Sequence, residues 1–134
     1  MLDQLRDQIA TYLADHHICV ISALGACAMP ARYRSDGLKV DCLVPRWSEV
    51  AYALEQDARA ALVIADAPSD GARWLEVRGS ASIVASPEWK GWRLDSTRHG
   101  VPLADLYLVV RVTPQRMDLV DETRGWGARE TVEM

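Results

Sequence analysis

The sequence predicts a mainly β (α+β) domain: a six- to seven-stranded antiparallel sheet closed into a small barrel, with one long N-terminal helix and two short helices. Three observations predict it. Short β-branched runs follow one another with hairpin-type turns between them. Helical periodicity is confined to the N-terminus and two brief crossings. The 134 residues, 49% hydrophobic and 25% charged, suit one core and leave no room for a second, so residues 1–134 form a single domain. A barrel this narrow is filled by side chains, which sends any large ligand to a cleft outside it.

The elements follow in order. Leu2, Leu5, Ile9 and Leu13 recur at three- and four-residue steps, giving a helix over 2–15 with one apolar stripe. ICVIS, from Ile18, and AMPARYR, from Ala28, flank the turn at Leu24-Gly25-Ala26 as a hairpin. Ser35-Asp36-Gly37 is strong turn chemistry, and LKVDCLV returns antiparallel after it. Pro45 ends that strand; Ser48 caps a short helix bearing Trp47, Val50, Ala51 and Leu54 on one side and stopping before Asp57. AALVIAD is a buried strand, APSDGA a loop, and RWLEVRGSASIVA a long alternating strand bent or bulged at Gly79. Ser86-Pro87-Glu88 starts a second short helix carrying Trp89 and Trp92. STRHGVP is loop, LYLVVRV and QRMDLVD are two extended pieces broken at Pro114, and the tail GWGARETVEM is polar except for Trp126.

Composition excludes some roles. A net charge of −4 disfavours a nucleic-acid or anionic-membrane surface. No apolar run approaches the roughly 20 residues of a membrane span. The acidic, amphipathic N-terminus lacks secretory-signal features, so the expected compartment is the cytoplasm. Cys19, Cys27 and Cys42 form an odd set without a Cys-x-x-Cys step, expected to be reduced and mostly buried, with no metal site. Nucleophile-elbow, P-loop and dinucleotide motifs are absent, and no catalytic residue is assigned. His16 and His17 suit the carbonyl end of the first helix, and His99 a solvated loop.

The arginines are more informative. Arg32 and Arg34 share a strand face, and Arg46 lies two residues before the Ser48 cap. A guanidinium beside a capped helix start suits a phosphate. Trp47, Trp74 and Trp126 are able to stack on a planar ring, although core or interface packing is the commoner use of tryptophan.

The order of segments resembles the pyridoxamine 5′-phosphate oxidase-like flavin-binding split-barrel superfamily over roughly residues 4–120. The likeness lies in AMPARYRSDGLKV, CLVPRWSEVAYALEQDARAALVI, WLEVRGSASIV and LYLVVRVTPQRMDLVD. It implies a split β-barrel homodimer holding FMN between subunits and acting as an oxidoreductase on a small molecule. By position, Arg32 corresponds to the family's phosphate-contacting strand arginine, and Ser48 to the serine of its Ser-Arg-Lys step, whose other members here are Glu49 and Val50. The resemblance also places Tyr33 and Arg34, with the backbone of 31–34 and 42–44, at the ring, and Trp47 or a partner copy's Trp126 in the pocket wall. Arg46 is expected to compensate for the missing cations. The Arg-Leu pair that follows the last tryptophan of the oxidases is absent, so pyridoxine phosphate oxidation itself is not expected. Relatives also bind a deazaflavin or haem, for which His16, His17 and His99 are the histidine candidates; a cofactor-free dimeric binding protein is the remaining alternative.

Overall fold

A computed structural model describes residues 2–66, 72–92, 97–98 and 100–134. The elements are α1 (Leu2–Asp15), β1 (Ile18–Ala23), β2 (Cys27–Asp36), β3 (Lys39–Pro45), α2 (Glu49–Gln56), β4 (Arg59–Asp66), β5 (Arg73–Ile83), β6 (Thr97–Arg98), β7 (Val101–Pro102), α3 (Leu103–Leu106), β8 (Tyr107–Asp121) and β9 (Arg129–Glu133). The strands run β3-β2-β1-β4-β5-β8, and pairing of β8 with β3 closes a six-stranded antiparallel barrel; β9 extends β8 outside the closure. One edge of β8 is therefore shared: β3 takes residues 107–112 and β9 takes 116–120.

Period-two alternation fills the interior. Ile21, Tyr33, Val40, Cys42, Val44, Leu62, Ile64, Leu75, Val77 and Met117 are all buried there. α1 packs Leu5, Ile9, Tyr12 and Leu13 onto this body, as its spacing predicts. Its last turn leaves carbonyls without helical partners. The His16 Nδ1–H donates to Tyr12 O at 2.7 Å, and the Tyr33 hydroxyl donates to Leu13 O at 2.7 Å, tying α1 to β2. At the other end, α2 buries Val50, Ala51 and Leu54.

Gly79 sits where β5 and β8 approach too closely for a side chain. A Cβ there would meet Thr113 O at 2.2 Å, and the register slips by one residue between Arg78 and Gly79. The bulge leaves Gln115 unpaired beside Pro114, whose missing N–H is tolerated at such a site. Pro114 therefore does not break the chain into two pieces, and β8 is one strand of 15 residues.

Three further expectations are corrected. Residues 84–92 are not helical: the Arg34 guanidinium takes the carbonyls of Glu88 (2.7 Å) and Lys90 (3.0 Å), while Trp92 buries against Leu43 and Val109 outside the barrel. The third helix is instead the four-residue α3, formed where a loop and strand were expected, with Leu103 buried. The tail, read as polar except for Trp126, also contributes Val132, which is fully buried, and its β9 pairs with β8. Apart from Ala72, the predicted APSDGA loop lies outside the described residues, as does His99; the STRHGVP segment contains the small β6–β7 hairpin.

Candidate cofactor site

The barrel is split between β2 and β3. Their ladder runs from Asp36↔Lys39 to Arg32↔Leu43 and stops, while β2 continues along β1 and β3 along β8. Two hydrogen bonds set the phase of the opened edges. Tyr33 N donates to His17 O at 2.9 Å, so alternate residues from Tyr33 back through Met29 bond to β1, and Pro30 faces the split. Arg46 N donates to Leu106 O at 3.0 Å, so Pro45 also faces the split. Each opened edge thus carries a proline, the residue with no N–H to offer a neighbouring strand.

A cleft of about 200 Å³ lies there, lined by Met29, Pro30, Ala31, Arg32, Leu43, Pro45 and Tyr107. Its functional side chains are one guanidinium and one phenol. No Ser, Cys, His or carboxylate lines it, so the cleft offers aliphatic side chains, backbone edge groups, positive charge and, in the Tyr107 phenol, one group able to give or take a proton.

Arg32 is exposed at the lip and forms no ion pair among the described residues. Arg46 follows the split edge of β3; its Nε donates to Ala104 O of α3 at 2.8 Å, and its terminal nitrogens have no partner among the described residues. Trp47 is 72% exposed beside it. The Ser48 hydroxyl is committed to the helix cap: it accepts from Ala51 N at 3.1 Å and donates to Pro45 O at 2.8 Å. Glu49 in the first turn adds a negative charge at the same helix start, which leaves the arginines as the cations of this region.

The remaining expected site residues are placed differently. Tyr33 has its side chain in the core, where burial first and the nearby Cys19, Tyr12, Cys42 and Asp15 after it push the phenol well above its ordinary value. Arg34 lies 4.4 Å over the Trp92 ring and holds the 88–90 carbonyls. Trp126 is 95% exposed beyond the far end of β8, about 45 Å along the strand path from Tyr107 at ~3.3 Å per residue. Of the expected residues, Arg32 lines the split cleft and Arg46 follows Pro45 at its edge, whereas Trp47 and Ser48 line a separate cleft with Leu24, Cys27 and Tyr52, and Trp126 lies away from both. Sequence reading missed Tyr107 as a wall of the cleft, since only barrel closure brings it beside Pro45. Among the described residues, no group of three His, Cys, Asp or Glu side chains is arranged to hold a metal.

No protein-family model and no curated protein matches the chain. Solved structures do. A protein related to general stress protein 26, of the pyridoxinephosphate oxidase family, from Clostridium acetobutylicum is 13% identical, with 98% of this chain and 96% of that one covered at a TM-score of 0.75. General stress protein 26 from Bacillus anthracis is 14% identical, covering 98% and 99% at 0.71. A haem-binding protein from Mycobacterium smegmatis is 19% identical, covering 96% of this chain and 56% of that one at 0.62. The chain has the split-barrel fold of these pyridoxamine 5′-phosphate oxidase-like and general stress protein 26 proteins.

Proposed function

We propose that this protein binds FMN at the split between β2 and β3 and works as a flavin-dependent oxidoreductase on a small molecule, as a cytoplasmic homodimer. The observation that carries the reading is the split itself: a cleft of opened backbone edges and mostly aliphatic side chains, with Arg32 on its wall, Arg46 following its edge and the Tyr107 phenol as its one acid–base side chain. A site with so little chemistry of its own fits a bound group that brings it, and the residues present fit the two ends of FMN. Arg32 and Arg46 suit the phosphate, and the backbone around Ala28 to Ala31 suits the polar edge of a flat ring. Bound flavin supplies reversible uptake of electrons from a reduced donor. The chain's part is to grip the phosphate, orient the ring and exclude water.

The size of the cleft supports the dimer. At about 200 Å³ it falls below the ~300 Å³ at which ordinary ligand pockets begin, so one protomer furnishes one wall. A second copy furnishes the other, and its exposed Trp126 is the natural contributor.

Titration of the purified protein with FMN, followed by flavin fluorescence and visible absorption, tests the reading. Replacing Arg46 by Ala removes a charge-assisted contact and weakens binding roughly 10-fold or more, with Arg32→Ala acting in the same direction. Equal affinity in both variants, or no binding at millimolar FMN, would falsify the proposal. Bleaching of bound flavin by a reduced nicotinamide cofactor reports the reductase activity. The haem-binding relative from M. smegmatis favours a second reading, in which His16 or His17 ligates haem; a Soret band in place of flavin bands in protein from its native host selects it. A deazaflavin would use the same residues as FMN, and a colourless protein would mark the cofactor-free alternative.

A further inference from the structure

A groove of about 600 Å³ lies between α2 and the β1–β2 turn. Glu49, Tyr52, Ala53 and Gln56, at i, i+3, i+4 and i+7, form the α2 stripe that lines it, while Val50, Ala51 and Leu54 turn into the core. Leu24, Ala26 and Cys27 supply the other wall, and Trp47 stands at the helix start. The volume falls within the ~300–1,000 Å³ of ordinary ligand pockets, and a mostly apolar lining with few polar groups is the common make-up of such sites.

Two aromatic rings of this groove are left on solvent. Trp47 is 72% and Tyr52 69% exposed, and neither ring stacks on another ring or lies under a cation among the described residues. Two other rings of the protein do carry an arginine: Arg73 lies 5.0 Å over Tyr12 and Arg34 4.4 Å over Trp92. The charge of the groove is negative, since no Lys, Arg or His lines it. Of its two carboxylates, Asp57 is held by Arg59 at 2.7 Å, whereas the Glu49 side chain has no ion pair or hydrogen bond among the described residues. The neighbouring charges are directed elsewhere: Arg46 donates through Nε to Ala104 O on α3 and does not line the groove, and Glu55 lines a different cleft with Ile83.

From this arrangement we infer that the groove binds a small organic cation, a singly charged amine or quaternary ammonium on an apolar body. Trp47 and Tyr52 offer their negative π faces to the cationic head, Glu49 supplies the opposite charge, and the wall from Leu24 to Cys27 takes the apolar body. Such a cation answers the one uncompensated charge of the groove, which an anion or a neutral chain leaves unanswered. The inference does not rest on the flavin reading, because no residue lines both this groove and the split cleft.

Calorimetric titration of the full chain with benzyltrimethylammonium chloride, against sodium chloride of matched ionic strength, tests the inference. Saturable one-to-one binding is expected, and the uncharged near-isostere dimethyl benzyl carbinol should bind roughly 10-fold more weakly. Cys27 makes the readout specific to the groove, because it lines the groove and is the one partly exposed thiol of the three. Its alkylation by N-ethylmaleimide, an uncharged reagent, should slow as the cation saturates. Tyr52→Ala is expected to weaken the cation about 5-fold and Glu49→Gln about 3-fold, with the carbinol unaffected by Glu49→Gln. Both positions are exposed, and thermal unfolding of each variant confirms that it is folded when measured. Heats that match sodium chloride, equal affinity for cation and carbinol, undiminished Cys27 alkylation, or cation affinity unchanged in both variants overturns the inference. A shift to smaller species in sedimentation of Tyr52→Ala assigns the groove to a second copy and overturns it as well.

Discussion

Replacing Gly79 by Ala puts a methyl group into a space that the barrel closure does not leave. The new Cβ lies 2.2 Å from Thr113 O, 2.9 Å from Thr113 C and 3.0 Å from Pro114 Cα, all backbone atoms that cannot rotate away. A carbon–oxygen contact of about 3.3 Å requires β5 and β8 to part by about 1 Å. The flanking pairs, Arg78↔Arg116 and Ser80↔Thr113, lie beside that gap. Ladder hydrogen bonds stretched by that much leave the bonding range, at about 1 kcal/mol for each of one or two bonds. Overpacking adds about 1–2 kcal/mol, for a total of about 2–4 kcal/mol. At about 4 °C per kcal/mol for a chain of this size, Tm falls by about 8–16 °C. Urea unfolding followed by circular dichroism measures the loss. Gly37→Ala is the control: φ is 62° with nothing within 4 Å of the added methyl, so only the left-handed strain, about 1 kcal/mol, is paid. A Gly79→Ala protein within about 0.5 kcal/mol of wild type would refute the close-approach argument.

Other expectations concern buried polar groups. Asp118 is 3% exposed on β8; burial raises its pKa, but the Thr131 hydroxyl, Arg116 at 3.0 Å and Arg129 at 3.3 Å outweigh this and hold it below the ordinary carboxylate value. Its stabilisation is present above the unfolded value of about 3.9 and lost as pH falls toward the folded one. Asp118→Asn should therefore cost about 1–3 kcal/mol at pH 7 and progressively less as the pH falls below about 3.9, read from urea midpoints across that range. Tyr33→Phe removes the hydroxyl donor to Leu13 O, leaving that carbonyl the longer 3.4 Å bond from His16 N, and should cost about 1–2 kcal/mol. Because the folded phenol is raised, its contribution is intact below about pH 10 and fades above it, so the wild type should lose stability between pH 9 and pH 12 more steeply than Tyr33→Phe. Ellman's reagent should label Cys27, which is partly exposed, in the native protein. Cys19 and Cys42, buried with sulfurs 3.8 Å apart and with Cys42 raised by that contact and by burial, should wait for unfolding; three rapid thiols would contradict the core packing.

Local signals gave the right element wherever one segment sufficed to specify it. The stripe from Leu5 to Leu13 made α1, the Ser48 hydroxyl made the start of α2, and Ser35-Asp36-Gly37 made the β2–β3 turn. Ser86-Pro87-Glu88 failed as a helix start because a residue on β2, Arg34, takes the Glu88 and Lys90 carbonyls. The reading of Pro114 as a break failed because the bulge opposite Gly79 absorbs its missing donor. Arg32 and Arg46 were legible as candidates from their places on a strand face and ahead of a helix cap. The commitments of Arg34 and Tyr33 were not, since both involve partners at least 20 residues away.

By itself the sequence determined that this chain forms an antiparallel barrel with a leading helix, because alternation, turn chemistry and helical period are local properties of consecutive residues. Only the tertiary structure decided that β2 and β3 part beyond Arg32↔Leu43, with Pro30 and Pro45 facing the gap and Tyr107 closing its wall. It also decided which arginines are already bonded and which keep N–H groups without a partner among the described residues. The reason is physical: closing a barrel pairs strands distant in sequence, and whether a polar group is spent or available depends on neighbours that no local pattern names.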